Sequence, residues 1–123
     1  MTKKSKPTRA ASLRPRLRVS SGKDIALGPG KVELLALVAK TGSIGAAAKR
    51  MEMSYMRAWT LIRTMNVCFK QPLVEAARGG HKRGGAELTE TGRRALELYQ
   101  RMEEASLKAA QTHWRAFQQL LRD

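Results

Sequence analysis

The chain has 123 residues, long enough for one domain with an appended helix, and its hydrophobic fraction of 42% is close to that of globular proteins. It carries 24 lysines and arginines against 10 aspartates and glutamates, a formal net charge of +14. The longest apolar run, residues 34–39, is too short for a membrane helix. A single cysteine excludes an internal disulfide framework and a multi-cysteine zinc site.

The positive charge is concentrated in the first two thirds of the chain. Residues 1–87 hold 18 basic and 5 acidic residues, whereas residues 88–123 hold 6 basic and 5 acidic residues. This asymmetry indicates a polyanionic partner for the first part and a different role for the last third. Nucleic acid is the leading candidate for this partner, and an anionic membrane surface is the second.

The first 27 residues predict a basic arm followed by a short hairpin. Residues 1–12 contain no acid and no apolar period, so we expect a disordered arm; a transit peptide is the alternative. Apolar residues then alternate around a turn at residues 20–23. These are Leu13, Leu17, Val19, Ile25 and Leu27. The pattern places Arg14, Arg16 and Arg18 on the outer face, and Pro15 restricts the first strand to an edge.

Three helices are predicted next. The first opens at Pro29 and ends at Gly42, with an apolar stripe of Val32, Leu35, Val38 and Ala39. Ser43 caps the second helix, whose stripe is Ile44, Ala47, Ala48 and Met51. After a tight turn at residues 52–53, Ser54 caps the third helix, which runs to about Phe69 and buries Ala58, Ile62, Met65 and Phe69. Two short helices joined by a tight turn are typical of a helix-turn-helix.

A glycine-rich basic loop and a long helix complete the chain. Residues 73–77 and 86–88 predict two strands on either side of the loop at residues 78–85. Thr89 caps a last helix that extends to Leu121, roughly 50 Å, which is too long to pack on so small a domain. An apolar stripe on its second half therefore predicts a partner chain. The stripe consists of Leu107, Ala110, Trp114, Phe117 and Leu121.

The order of these motifs resembles the winged helix-turn-helix of ModE-type, molybdate-responsive regulators and, more distantly, of LysR-type regulators. The similarity covers about residues 25–100. It is carried by residues 41–44, 46–48, 54–55, 58–59, 72–75, 79–80, 84–85, 88–89 and 92. It implies a dimeric DNA-binding domain in which the last helix forms the dimer contact. Because the chain ends at Asp123, we expect neither molybdate-binding modules nor a ligand-sensing domain.

These elements predict a mainly α fold class with a small β-hairpin wing. The expected architecture is a winged helix-turn-helix plus a long C-terminal dimerisation helix. We expect a disordered arm at residues 1–12, the DNA-binding domain at 13–88 and the dimerisation helix at 89–123. Within this scheme the predicted DNA surface comprises Ser43, Ser54, Tyr55, Met56, Arg57, Thr60, Arg63, Arg78, His81, Lys82 and Arg83.

The third helix is the predicted recognition helix, because its first turn can meet base edges in a major groove. Arg57 could present a bidentate fork to guanine and Thr60 a hydroxyl or methyl group, whereas Arg63 lies further along and is expected to meet phosphate. Trp59 is either a core residue or a DNA contact. At the wing, Arg78, His81, Lys82 and Arg83 are expected at phosphates or in a minor groove. A solvated surface is the alternative for both regions.

No catalytic set is evident. His81 and His113 lack ligand spacing, and we expect no metal, no cofactor and no enzymatic activity. Cys68 is interpreted as a small, partly buried thiol, with redox sensing as the alternative.

The leading hypothesis is a homodimeric, sequence-specific transcription regulator that binds double-stranded DNA in the cytoplasm at the nucleoid. An architectural DNA-binding protein is the alternative, and an adaptor that binds another protein through the long helix is a third hypothesis. An unidentified protein partner or effector remains open.

Overall fold

The computed structural model describes residues 10–77 and 85–122, and within these ranges it consists of four helices and two small hairpins. Strands β1 (Val19–Ser21) and β2 (Asp24–Leu27) pair first. Helices α1 (Pro29–Thr41), α2 (Ile44–Arg50) and α3 (Tyr55–Cys68) follow. Strands β3 (Val74–Ala76) and β4 (Ala86–Leu88) form the base of the wing, and α4 (Glu90–Gln118) is the long last helix.

The N-terminal hairpin is shorter than predicted. Residues 13–18 are not a strand, and β1 and β2 are joined by a two-residue turn in which Gly22 has a positive φ of 62°. The reason lies in the backbone, because Pro15 has no N–H to give to a ladder. In addition, the carbonyl oxygen of Leu17 accepts a hydrogen bond of 2.6 Å from the Tyr99 hydroxyl. The segment before β1 is therefore fixed by α4 rather than by strand pairing.

The capping pattern predicted for the helices is confirmed. The Ser43, Ser54 and Thr89 side chains each accept a hydrogen bond from the backbone N–H three residues further on, at 3.0, 3.1 and 2.9 Å. Each bond satisfies one of the N–H groups that the first turn of a helix leaves without a partner. Gly42 ends α1 in the left-handed conformation, with φ of 73°, as predicted.

One core is formed by α1, α2, α3, both wing strands and the first half of α4. Its fully buried side chains include Leu34, Leu35, Val38, Met65 and Tyr99. The predicted stripe of α1 is partly wrong: Ala39 is exposed and Leu34 is buried instead. At 100° per residue, Ala39 lies about 90° from the centre of the buried face. Phe69 is half-buried against the core rather than fully buried.

Helix α4 is long, as predicted, but it ends at Gln118 rather than at Leu121. The N–H of Gln119 turns back to the carbonyls of Ala116 and Phe117, which closes the last turn. Its 29 residues span about 43 Å. The buried residues of α4 are Gly92 and Tyr99, both in its first half. The second half extends beyond the core.

Candidate nucleic-acid interface

The geometry of the helix-turn-helix is set by the turn between α2 and α3. The N–H of Met53 donates to the carbonyl of Ala48 at 3.0 Å, and Glu52 adopts a left-handed φ of 56°. This conformation is uncommon for a residue with a side chain. It brings α3 back across α2, where Ala47, Ala48 and Ala58 are buried. The small side chains allow the close approach of the two helices, which leaves the opposite side of α3 at the surface.

The centre of this exposed side is a row of four residues on successive turns of α3: Met56, Thr60, Arg63 and Val67. Met56 is 62% exposed and Val67 is 71% exposed, so the row includes apolar side chains that the core does not cover. The Thr60 hydroxyl donates to the carbonyl of Met56 at 2.8 Å. Its oxygen can therefore still accept a hydrogen bond, and its methyl group is free to pack.

One flank of α3 faces the wing. Tyr55, Trp59 and Asn66 line an open groove of about 510 Å³, whose other wall includes Val74, Glu75 and Ala76 of β3. Trp59 is 39% exposed and lies outside the core cluster, and the guanidinium carbon of Arg63 stands 5.6 Å from the centre of its ring. Of the two interpretations of Trp59, the structure therefore excludes the core position.

Asn66 attaches the wing to α3, a role that was not predicted. Its side-chain oxygen accepts the N–H groups of Leu73 and Val74 at 2.8 and 3.3 Å, and its amide nitrogen donates to the Val74 carbonyl at 3.2 Å. The Ala86 N–H donates to the Gly42 carbonyl at 2.9 Å, which joins β4 to the end of α1. An asparagine inside a helix, where its propensity is poor, was the available sequence signal.

The two predicted capping serines lie at the edges of this surface. Ser43 is half-buried beside Gly85, with which it forms an isolated antiparallel bridge, and Ser54 is exposed. Because both hydroxyl oxygens accept a cap bond, each still has its O–H to donate, for example to a phosphate. All four residues predicted to contact DNA from the wing lie outside the described residues. They are Arg78, His81, Lys82 and Arg83.

The other flank of α3 faces the N-terminal hairpin. Arg57 and Leu61 line a second open groove, of about 240 Å³, together with Arg16, Arg18 and Lys31. At 100° per residue, Arg57 lies about 90° from the centre of the exposed row. The predicted base-contacting residue is thus placed beside other cations at the edge of α3. The alternation along the N-terminal segment predicted that its arginines point outward, but it did not predict that they converge with Arg57.

The predicted dimer residues lie on the half of α4 that extends beyond the core. Leu107, Ala110 and Trp114 are half-buried, Phe117 is 54% exposed, and Leu121 lies just beyond the end of the helix. The rings of Trp114 and Phe117 stack with their centres 6.1 Å apart. Their face continues the one that carries Tyr99, because positions 99, 103, 106, 110, 114 and 117 follow one another at helical spacing.

The remaining ionisable groups do not form a reaction centre in the described ranges. No three His, Cys, Asp or Glu side chains gather there in a manner that could hold a metal ion, and Cys68 is half-buried. Burial raises the pKa of the Tyr99 phenol. Hydrogen bonds from Arg94 and the charge of Arg101 lower the pKa of the exposed Glu97 carboxyl. Within residues 10–77 and 85–122, no helix has both the length and the apolar character needed to cross a bilayer.

Comparison with known proteins assigns this arrangement to a family. Residues 30–93, from α1 to the first turn of α4, match the family model for the bacterial regulatory helix-turn-helix protein of the LysR family. The chain belongs to this LysR family. The matched segment contains α2, α3 and both wing strands. The predicted relation to LysR-type regulators is therefore confirmed, and the described surface of α3 lies within the matched segment.

The similarity to ModE-type proteins is also confirmed. This LysR-type chain is 40% identical over 83 residues to the molybdenum-pterin-binding protein MopA of Rhodobacter capsulatus, which covers 68% of the chain and 31% of MopA. It is 41% identical over 81 residues to the DNA-binding transcriptional dual regulator ModE of Escherichia coli K12, which covers 66% of the chain and 31% of ModE. The chain thus spans about a third of the length of these curated relatives.

Among solved structures, the LysR-type chain is similar to the DNA-binding domain of CbnR in its complex with DNA. The TM-score is 0.55 at 24% identity, covering 71% of this chain and 94% of that one. This likeness concerns the fold, and it confirms the predicted mainly α, winged helix-turn-helix architecture.

Proposed function

We propose that the LysR-type chain is a sequence-specific transcription regulator that binds double-stranded DNA as a homodimer. The observation that carries this proposal is the exposed row of α3, where Met56, Thr60, Arg63 and Val67 project from a helix whose opposite face is fixed in the core. A helix of about 10–12 Å diameter fits the major groove of B-DNA, which is about 12 Å wide. The first two positions of the row, Met56 and Thr60, would then face the base edges.

The relatives support a regulator rather than an architectural protein. The similar ModE of Escherichia coli is named a DNA-binding transcriptional dual regulator, and the similar domain of CbnR was solved on DNA. Neither of these two proteins is named as an architectural protein or as an enzyme. A regulator of this type acts where the DNA is, so we expect a cytoplasmic protein. The proposed organisation is a basic arm at residues 1–12, the DNA-binding domain at 13–88 and the dimerisation helix at 89–123.

The roles along the surface follow from position. At the centre, Met56 and Thr60 would contact bases, because the Thr60 oxygen can accept from an amino group of adenine or cytosine and its methyl can pack on thymine. Arg63 and Tyr55 lie toward the wing and would contact the backbone, as would the hydroxyls of Ser43 and Ser54. Arg57, on the opposite flank, is now expected at phosphate rather than at guanine. For the wing tip, Arg78, His81, Lys82 and Arg83 remain predicted phosphate contacts.

The dimer proposal rests on α4. Its second half carries an apolar stripe that its own core does not cover, formed by Leu107, Ala110, Trp114 and Phe117, and Leu121 follows just beyond the end of the helix. A second copy of α4 would cover the stripe and would place two recognition helices on one face of the DNA. Half-sites one helical turn, about 34 Å, or a multiple of this distance apart would fit such a dimer.

The test of DNA recognition starts with selection of a preferred duplex from random DNA, followed by fluorescence anisotropy against that duplex and a scrambled one. We expect the preferred duplex to bind at least about a thousandfold more tightly at physiological salt. Thr60→Val keeps the shape of the side chain but removes its oxygen, and it should lose about 1–3 kcal/mol on the preferred duplex and little on the scrambled one. Arg63→Ala should weaken both duplexes by a similar factor.

Two substitutions on the exposed surface of α4 serve as matched controls. Thr112→Val and Arg115→Ala make the same chemical changes away from α3, at positions that are exposed. Both should leave the affinity and the preference close to those of the native chain. A native chain that binds all duplexes alike, or a Thr112→Val variant as impaired as Thr60→Val, would contradict the proposed role of α3.

A further inference from the structure

Four cationic side chains converge on the groove between the N-terminal hairpin and α3, which we call the hairpin groove. They are Arg16, Arg18, Lys31 and Arg57, and the other residues that line the groove are uncharged. The four come from three parts of the chain: the segment before β1, the start of α1 and the first turn of α3. No sequence motif brings them together, so this cluster is a product of the fold.

The charges of the hairpin groove are not neutralised within the described part of the chain. Both ion pairs found there lie on α4, between Glu97 and the arginines at 94 and 101. The acids on the neighbouring elements, Asp24, Glu33 and Glu52, are exposed and do not line the groove. Like charges that converge without a counter-charge repel one another and create a strongly positive potential. An anion is the partner that relieves this repulsion.

The backbone that carries the two arginines of the N-terminal segment is anchored to the rest of the domain. The residue between them, Leu17, is bonded through its carbonyl to the Tyr99 hydroxyl at 2.6 Å. The alkyl part of Arg18 lies against Gly28, where a Cβ atom would stand 3.5 Å from the Arg18 Cγ. The Lys31 ammonium donates to the carbonyl of Ile25 in β2. These contacts fix the walls of the groove before any ligand arrives.

We propose that the hairpin groove binds a phosphodiester group of the DNA backbone, on the strand opposite to the one contacted by the wing. The proposal rests on the proposed function. A helix that fills the major groove presents its two flanks to the two backbones. On α3 the wing flank carries Tyr55 and Trp59, and the hairpin flank carries Arg57 and Leu61. The hairpin would therefore serve as a third DNA contact, beside the recognition helix and the wing.

The first experiment measures anisotropy on the selected and scrambled duplexes at several salt concentrations. The double variant Arg16→Gln with Arg18→Gln should weaken both duplexes by the same factor, about fivefold or more at physiological salt, and should lower the log–log salt slope by about one. The specificity ratio should not change, because a phosphate contact carries no sequence information. Arg16→Lys with Arg18→Lys should retain the slope, since it retains both charges.

The matched control removes two charges from the same segment outside the groove. Arg14 and Lys23 are exposed and do not line the hairpin groove. Arg14→Gln with Lys23→Gln should therefore have a smaller effect on affinity and on the salt slope. Equal losses in the two double variants would overturn the proposal, because net charge alone would then account for both. Thermal unfolding followed by circular dichroism checks that all variants fold.

A second measurement locates the phosphate on the DNA. Each backbone phosphate of the selected duplex is replaced in turn by an uncharged methylphosphonate. One replacement, on the DNA strand that the wing does not contact, should lower the DNA affinity of the native chain. It should not lower the affinity of the Arg16→Gln, Arg18→Gln variant. Absence of such a position would overturn the proposal while leaving the proposed function intact. A native chain that has no preferred duplex would instead contradict the proposed function itself.

A free oxyanion could also occupy a cationic groove of this kind. Inorganic phosphate and sulfate, titrated at constant ionic strength, should compete with DNA only weakly, because the open groove offers one small anion few contacts compared with a continuous backbone. Displacement of DNA at micromolar phosphate or sulfate would instead identify a small-anion site and overturn the assignment to the backbone.

Discussion

Gly92 is the position at which one added methyl group should disturb the fold most. It lies in the first turn of α4, and a Cβ atom there would stand 2.1 Å from the carbonyl oxygen of Leu73. Real Cβ atoms do not approach other atoms closer than about 3.0 Å. The first turn of α4 and the Leu73 backbone, which leads into β3, would therefore have to separate by about 0.9 Å. The same carbonyl accepts the N–H of Thr89 at 2.9 Å, and this bond would be strained as well.

For Gly92→Ala we expect a loss of about 1–3 kcal/mol in the free energy of unfolding. Overpacking costs about 1–3 kcal/mol and a weakened hydrogen bond about 1 kcal/mol, against which the better helix propensity of alanine returns at most about 1 kcal/mol. Gly30→Ala is the matched control, because Gly30 also lies in a first turn but has no atom within 4 Å of its added Cβ. It should be neutral or slightly stabilising.

Urea unfolding followed by circular dichroism measures both variants. A Gly92→Ala variant as stable as the native chain would refute the reasoning, because it would mean that α4 is not held at van der Waals distance from Leu73. A large loss of unfolding free energy in Gly30→Ala would instead indicate that any side chain added in the first turn of a helix destabilises this protein.

Three further predictions concern α4 and the charge. Tyr99→Phe should cost about 1–2 kcal/mol near neutral pH, because the half-buried Leu17 carbonyl loses its donor. Burial raises the Tyr99 pKa, so this contribution is complete below the unfolded pKa near 10 and is lost as the pH rises through the folded pKa. Urea unfolding at pH 8 and above pH 10 will measure it. Phe117→Glu should weaken dimerisation in sedimentation experiments, whereas Thr112→Glu should not; a native chain that is monomeric at every concentration would contradict the dimer. DNA affinity should fall with salt with a log–log slope of about −5 if about six phosphates are neutralised, and a slope near zero would rule out the electrostatic interface.

Much of the helical framework could be predicted because its signals are local. A serine or threonine cap, an apolar period of 3.6 and a glycine after the last turn each depend on a few neighbouring residues, and these signals located the starts of α2, α3 and α4 within one position. The wing strands could be predicted as well, because Pro72 marks the start of one strand and the glycine-rich loop separates the two.

The errors arose where distant segments meet. The strand predicted before residue 19 is absent because Leu17 bonds to Tyr99, which lies 82 residues away. Ala39 fitted a helical period but faces solvent, since the choice of the buried face depends on which elements pack against α1. The close approach at Gly92 and the position of Arg57 beside Arg16 likewise depend on tertiary contacts that no local pattern contains. For Asn66, the poor helix propensity marks the residue but does not name its partner in the wing.

The bond between Tyr99 and Leu17 has a consequence for the order in which the chain acquires its structure during synthesis. Contacts between residues far apart in sequence form only after the intervening chain is available. The segment around Leu17 therefore cannot be fixed until Tyr99 has been made and the first half of α4 has formed. Because Tyr99 is itself part of the core, the segment before β1 is completed together with the core or after it, not before it.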